Sequence, residues 1–173
     1  MIRYILTTLI SLMIFSSSAF AQGQTQQSKE KSEVEMHIRK VAKIKTNEID
    51  YAYISAGMFK QMFTIMNVDI KVEDISHPFA SIKSLRKFAT TGPAGYSILK
   101  KHMAPFLQED DLVMGMNLIA LNRENGTQTS IYSDSGNILV VNDDESEMSV
   151  VYIIGLTYEM FKAMNNGGIS FDF

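Results

Sequence analysis

The sequence predicts an α+β fold, a mostly antiparallel sheet of about six strands with two to four helices packed on one face. Three observations predict it. Between Leu112 and Gly155, four apolar runs (Leu112–Leu121, Thr129–Tyr132, Ile138–Val141 and Met148–Ile154) are separated by turn residues at Asn122–Gly126, Ser133–Gly136 and Asn142–Glu147. Short runs with breaks of that length make a four-strand antiparallel meander, each strand paired with the one before it. Upstream, the apolar residues switch to a helical period twice, at Met58, Phe59, Met62, Phe63 and Met66 and again at Tyr96, Leu99, Met103 and Phe106. Finally, the chain is 173 residues long with no Cys. That is one domain's worth, large enough to bury a core without disulfide staples.

The chain opens with Arg3, an apolar run from Tyr4 to Phe15, small polar residues at Ser16–Ser18, and Ala19-Phe20-Ala21. This is the three-part plan of a secretory signal peptide with an A-x-A site. The expected cleavage falls between Ala21 and Gln22, which places the product in the periplasm or outside the cell. The apolar run is shorter than the roughly 20 residues a membrane span needs, so no span is expected after cleavage. Zero Cys excludes a lipid-modified Cys, thiolate metal sites and Cys nucleophiles. The chain carries 16 Lys+Arg against 19 Asp+Glu, net −3, and loss of the leader removes Arg3 and no acid. Mild acidity argues against a nucleic-acid partner, which would require a basic face.

Residues 22–33, rich in Gln, Ser and Lys, have too little apolar surface to offset ordering and read as a flexible tail. A single α+β domain is expected over 34–173. It begins with a short amphipathic helix carrying Val34, Ile38 and Val41 at helical spacing. The six basic and three acidic residues between Lys29 and Lys45 fit a solvated helix face, or a contact to an anionic lipid or sugar. Ile49–Ser55 alternates as a strand. Ser55 stands where the following helix needs an N-cap. Val68, Ile70 and Val72 permit a short strand before the break at His77-Pro78. Ser81–Thr90, with Ile82, Leu85 and Phe88 interleaved with Lys and Arg, admits either helix or strand.

Thr91-Gly92-Pro93 starts a helix, because Pro in the first turn lacks only an N–H that had no partner there. Pro105 ends or kinks it near Ala104. Within the meander, Glu124-Asn125-Gly126 and Asp134-Ser135-Gly136-Asn137 suit turns with positive φ. Thr157 caps a last helix bearing Tyr158, Phe161 and Met164, which Asn165–Gly168 stops. Ile169, Phe171 and Phe173 alternate, as a closing edge strand or a tail laid on the sheet would. The short strands and two helical segments argue against an outer-membrane barrel, whose strands run about 9–11 residues.

The order of these parts resembles the secreted Bacteroidetes family known as domain of unknown function 4252. Tyr53-Ile54-Ser55 leading to Gly57-Met58-Phe59-Lys60 is similar to its first strand and helix, and Ile82-Lys83-Ser84-Leu85-Arg86 to its second strand. Ile131-Tyr132 and Tyr152-Ile153-Ile154-Gly155 are similar to later strands. The resemblance implies a strand over Ser81–Thr90 and an exported protein, and implies no activity. Family members that are lipoproteins carry a Cys after the signal, where this chain has Gln22.

No catalytic, cofactor-binding or metal residue is assigned. His37, His77 and His102 lack metal-ligand spacing and read as unrelated surface or loop residues. There is no G-x-S-x-G elbow and no Gly-rich phosphate loop. Asp143-Asp144-Glu145-Ser146-Glu147 lacks the spaced calcium pattern. It reads as a solvated turn whose charges discourage edge pairing, with calcium as the sharper alternative. Twelve Met are present, and Met58, Met62 and Met66 form either a packed stripe or, less in keeping with the interleaved Phe residues, a Cu(I) face. The expected function is an exported, non-catalytic envelope protein that binds a protein or small molecule. A hydrolase with a site assembled from dispersed carboxylates is the alternative.

Overall fold

The computed structural model describes residues 32–65 and 81–166. The leader, residues 22–31 of the expected tail, the Val68–Val72 segment, Met66 and residues 167–173 lie outside the described residues, as do the side chains of Met62, Phe63 and Met164. The last two residues given to the tail, Ser32 and Glu33, instead cap and begin the first helix. Four helices are described: α1 (Glu33–Val41), α2 (Ala56–Ile65), α3 (Pro93–Met103) and α4 (Tyr158–Asn166). A 3-10 turn, Ala104–Phe106, continues α3 past Pro105.

Seven strands form one antiparallel sheet in the order β1-β2-β7-β6-β5-β4-β3. They are β1 (Ile49–Ser55), β2 (Ser84–Thr90), β3 (Leu112–Val113), β4 (Met116–Glu124), β5 (Thr127–Ser133), β6 (Asn137–Asp143) and β7 (Met148–Ile154). The α+β class and the antiparallel sheet match the sequence reading. The seventh strand arises because the run Leu112–Leu121 is broken by a two-residue turn. Met114 (φ 49°) and Gly115 (φ 80°) both take the left-handed region, which folds β3 back on β4. Asn125 and Gly126 do the same between β4 and β5, at φ 52° and 83°. The turn at 134–137 needs no positive φ. The Asp134 carboxylate makes it instead, accepting from the Gly136 amide at 2.8 Å and from the Asn137 side chain at 2.7 and 2.9 Å.

The helices cover both faces of the sheet, not one. In β6, Leu139 and Val141 point into a core with Val34, Ile38 and Val41 of α1, Leu99 and Met103 of α3, and Phe106. Ile138 and Val140 point the other way, onto Phe59 of α2 and Phe161 of α4. Strands β6 and β7 are continuous apolar runs, and a continuous run needs cover on both sides.

The helix signals hold locally. Ser32 caps α1 by accepting the Glu35 amide at 3.2 Å. Ser55 accepts from Met58 at 3.3 Å and Thr157 from Met160 at 3.3 Å. Met58, expected in the packed stripe, is instead 38 % exposed while Phe59 is buried. Gly155, at φ 89°, ends β7 where a Cβ would collide with the Ser81 carbonyl. No helix among the described residues is long and apolar enough to cross a membrane.

Candidate anion-binding site

Strand β2 alternates Ser84, Arg86, Phe88 and Thr90 on one face with Leu85, Lys87 and Ala89 on the other. Phe88 belongs to the α1/α3 core, so the pleat carries Arg86 to the same side. Arg86 is 6 % exposed. Its neighbours are set by register. Tyr53 of β1 lies directly opposite it on one side and Tyr152 of β7 on the other. The guanidinium carbon stands 4.6 Å from the Tyr53 ring centroid. Nη1 donates to the Tyr51 hydroxyl at 2.7 Å. Tyr51 in turn stacks on Phe88, with centroids 5.0 Å apart. Tyr51 and Tyr53 are each 38 % exposed on the terminal strand of the sheet.

Two donors in this corner are unmet. Arg86 Nε and the Tyr152 hydroxyl are sealed from solvent and have no partner at hydrogen-bond geometry among the described residues, although the Ser32 hydroxyl lies near that of Tyr152. Arg86 Nη2 also makes no hydrogen bond among the described residues, but it is not sealed. No carboxylate among the described residues pairs with Arg86. Burial pushes the Tyr152 hydroxyl up to about 12, against the lowering pull of the neighbouring Ser32 hydroxyl, and the charges of Asp134 and Glu35 push the same way as burial. Neither acid is free to meet Arg86. Glu35 pairs with Arg39 at 2.7 Å, and Asp134 holds its turn. An unpaired buried cation costs several kcal/mol, of which the Tyr53 ring returns about 0.5–2.

Other polar clusters are internally satisfied. Lys100 Nζ donates to the Tyr96 hydroxyl at 2.5 Å and pairs with Asp143 at 3.1 Å, while Tyr96 donates to Asp143 at 2.9 Å. The hydrogen bond to Tyr96 is the main cause raising the Lys100 pKa, and burial is the main cause raising that of Tyr96. This cluster pins α3 to the end of β6. Glu48 closes the N-terminus of α3 by accepting the Ala94 and Gly95 amides at 2.9 and 3.0 Å. Gly95 is required there, since a Cβ would run into the Glu48 carbonyl.

The acidic hairpin joins two central strands, so it guards no sheet edge. Asp144 folds inward and accepts from the Ser146 and Glu147 amides, and those bonds, Glu147 first, hold its carboxyl below the usual range. Among the described residues, no three His or acidic side chains gather as a metal site would require.

His37 and His102 are not unrelated. His37 Nε2 donates to the His102 carbonyl at 2.9 Å, and their rings are 6.3 Å apart, tying α1 to α3. Burial first, then the charges of His37 and Lys101, lowers the His102 pKa. His77 lies outside the described residues.

Arg86 did not stand out in the sequence, because the stretch Ser81–Thr90 admits either helix or strand and so leaves its facing open. The available signal was its even spacing from Phe88. Comparison of the chain with family models, curated proteins and solved structures returned no match.

Proposed function

We propose that this is an exported, non-catalytic protein of the bacterial envelope that works as a binding module, with its ligand-facing site at the Arg86 corner. The observation that carries the reading is the buried guanidinium with an unmet Nε beside two exposed tyrosines. A fold tolerates an uncompensated charge where something else supplies the counter-charge. The signal-peptide pattern over residues 1–21 and the resemblance to the secreted family support export.

The hydrolase alternative needs carboxylates free for proton transfer. Glu48, Asp134, Asp143 and Asp144 are engaged in caps, turns and an ion pair, and acids outside those contacts, such as Asp50 and Glu159, stand on separate elements, β1 and α4.

Fractionation of the native host with mass spectrometry of the mature chain tests the address. The expected N-terminus is Gln22, in the periplasmic or extracellular fraction. A chain that starts at Met1 and stays in the cytosol would overturn the reading.

A further inference from the structure

We infer that Arg86 is the cation of a subsite for a monoanionic carboxylate, gripped side-on by Nε and Nη2, with the rings of Tyr51 and Tyr53 against the ligand's apolar part. This rests on the binding-module reading and adds to it the chemistry of the ligand.

Four features point there. Nη1 is already engaged by Tyr51, which leaves the Nε/Nη2 edge of the fork unmet. That edge matches the two oxygens of a carboxylate, and such paired charge-assisted bonds are the strongest a side chain makes. Nη2 is the end not sealed from solvent, so a ligand oxygen meets it first, and the cover over Nε must shift for the second oxygen to reach it. The Tyr152 hydroxyl, directly across the strand pair from Arg86, is a further donor with no acceptor at hydrogen-bond geometry among the described residues, the Ser32 hydroxyl being its neighbour.

The charge of the ligand follows from the surroundings. Arg86 is the one cation on this face of β2, as Lys87 points to the other. Glu35 and Asp134, whose charges reach the Tyr152 hydroxyl, are held by Arg39 and by the 134–137 turn and do not pair with Arg86. One unpaired guanidinium supplies one unit of counter-charge, which matches an anion of charge −1. The exposed tyrosine rings at the sheet's terminal strand favour an aromatic or otherwise apolar body on the acid.

The test uses the purified chain with benzoate and acetate as probes, and with inorganic phosphate and chloride at matched ionic strength. Two readouts are followed, the Arg86 Nε–H signal by NMR and the thermal midpoint. Benzoate is expected to move both saturably, acetate more weakly, and chloride not at all. Arg86→Lys, which keeps the charge and loses the fork, should weaken benzoate about tenfold or more. Arg86→Met should abolish the response while its circular dichroism stays native. Tyr53→Leu should bring benzoate down to the acetate level. Phosphate binding more tightly than either carboxylate would overturn the ligand class and leave the binding module standing. No response to any anion, or one that survives Arg86→Met, would overturn the subsite itself. The fractionation experiment still decides the envelope reading independently.

Discussion

Tyr152 and Ile153 are neighbours in β7 and face opposite sides of the sheet, and the two sides are built from different materials. Ile153 joins Ile54, Ile82, Leu85, Ile138, Val140, Val151 and Leu156 in an aliphatic layer with two Phe rings. Tyr152 joins Phe88, Phe106 and Tyr132 among aliphatic and Met side chains such as Ile38, Leu99, Met103 and Val150, and these four rings, with buried Arg86 on the same side, make it the more aromatic of the two. The aliphatic side needs only volume in the right place. The aromatic side contains polar atoms, each of which must find a partner or remain a liability. Tyr132 finds two, donating towards the Phe106 and Gln108 carbonyls at 3.2 Å. Tyr152 finds none at that geometry among the described residues. The unmet groups gather on the aromatic side beside β1, the terminal strand of the described sheet.

Truncations should show both layers bearing weight. Phe106→Ala on the aromatic side should cost about 3–5 kcal/mol and Ile153→Ala on the other about 2–5 kcal/mol, read by urea unfolding. A near-neutral Ile153→Ala would mean that α2 and α4 cover that face without packing on it.

The next effect separates the sides by pH. The Tyr152 hydroxyl stays protonated in the fold to about 12, against 10.0 for its ordinary value. The unfolded chain therefore loses its proton first, and stability falls as pH rises from 10 towards 12, by about 1.4 kcal/mol per unit for this group. Tyr152→Phe should flatten that part of the slope, whereas Ile153→Val should leave it unchanged.

A smaller effect concerns how α3 is seated on the aromatic side. Gly92 offers α3 no side-chain cap, so Glu48 supplies it from the preceding loop. Glu48→Ala should cost about 0.5–2 kcal/mol. Preserved stability would show that water replaces the carboxylate.

The finest test contrasts the two buried tyrosines at neutral pH. Tyr132→Phe should destabilise by about 0.5–1.5 kcal/mol, since it loses hydrogen bonds. Tyr152→Phe should cost less than that or nothing, because its hydroxyl has only the Ser32 side chain near it and no partner at hydrogen-bond geometry among the described residues. Equal losses at both positions would mean that Tyr152 has a partner, and the case for an unmet corner would fail.

Much of the framework was legible in the chain. β1 runs over Ile49–Ser55 as its alternation indicates, the helix after Gly92-Pro93 ends beside Pro105, and the hairpin at Asn125-Gly126 adopts the positive φ its residues favour. These features depend on neighbours within a few positions, and local sterics and hydrogen bonds are written in residue type. The Met114-Gly115 turn was hidden because Met rarely adopts positive φ and the flanking run is apolar apart from Asn117.

The candidate site was not legible. Arg86 becomes a buried cation only once β2 is fixed between β1 and β7, with tyrosines opposite it on both sides. His37 and His102 meet only because α1 and α3 cross the same face, 65 residues apart in the chain.

By itself, then, the sequence determined the class, the element types, most turns and the signal-peptide pattern, all of which rest on composition and short-range periodicity. Only the tertiary structure decided that both faces are covered, which side each helix takes and which polar groups are buried without partners. Those outcomes depend on the order and register in which distant strands pair. A shift of one residue in that register would turn Arg86 and Phe88 to the opposite face without changing a single local preference.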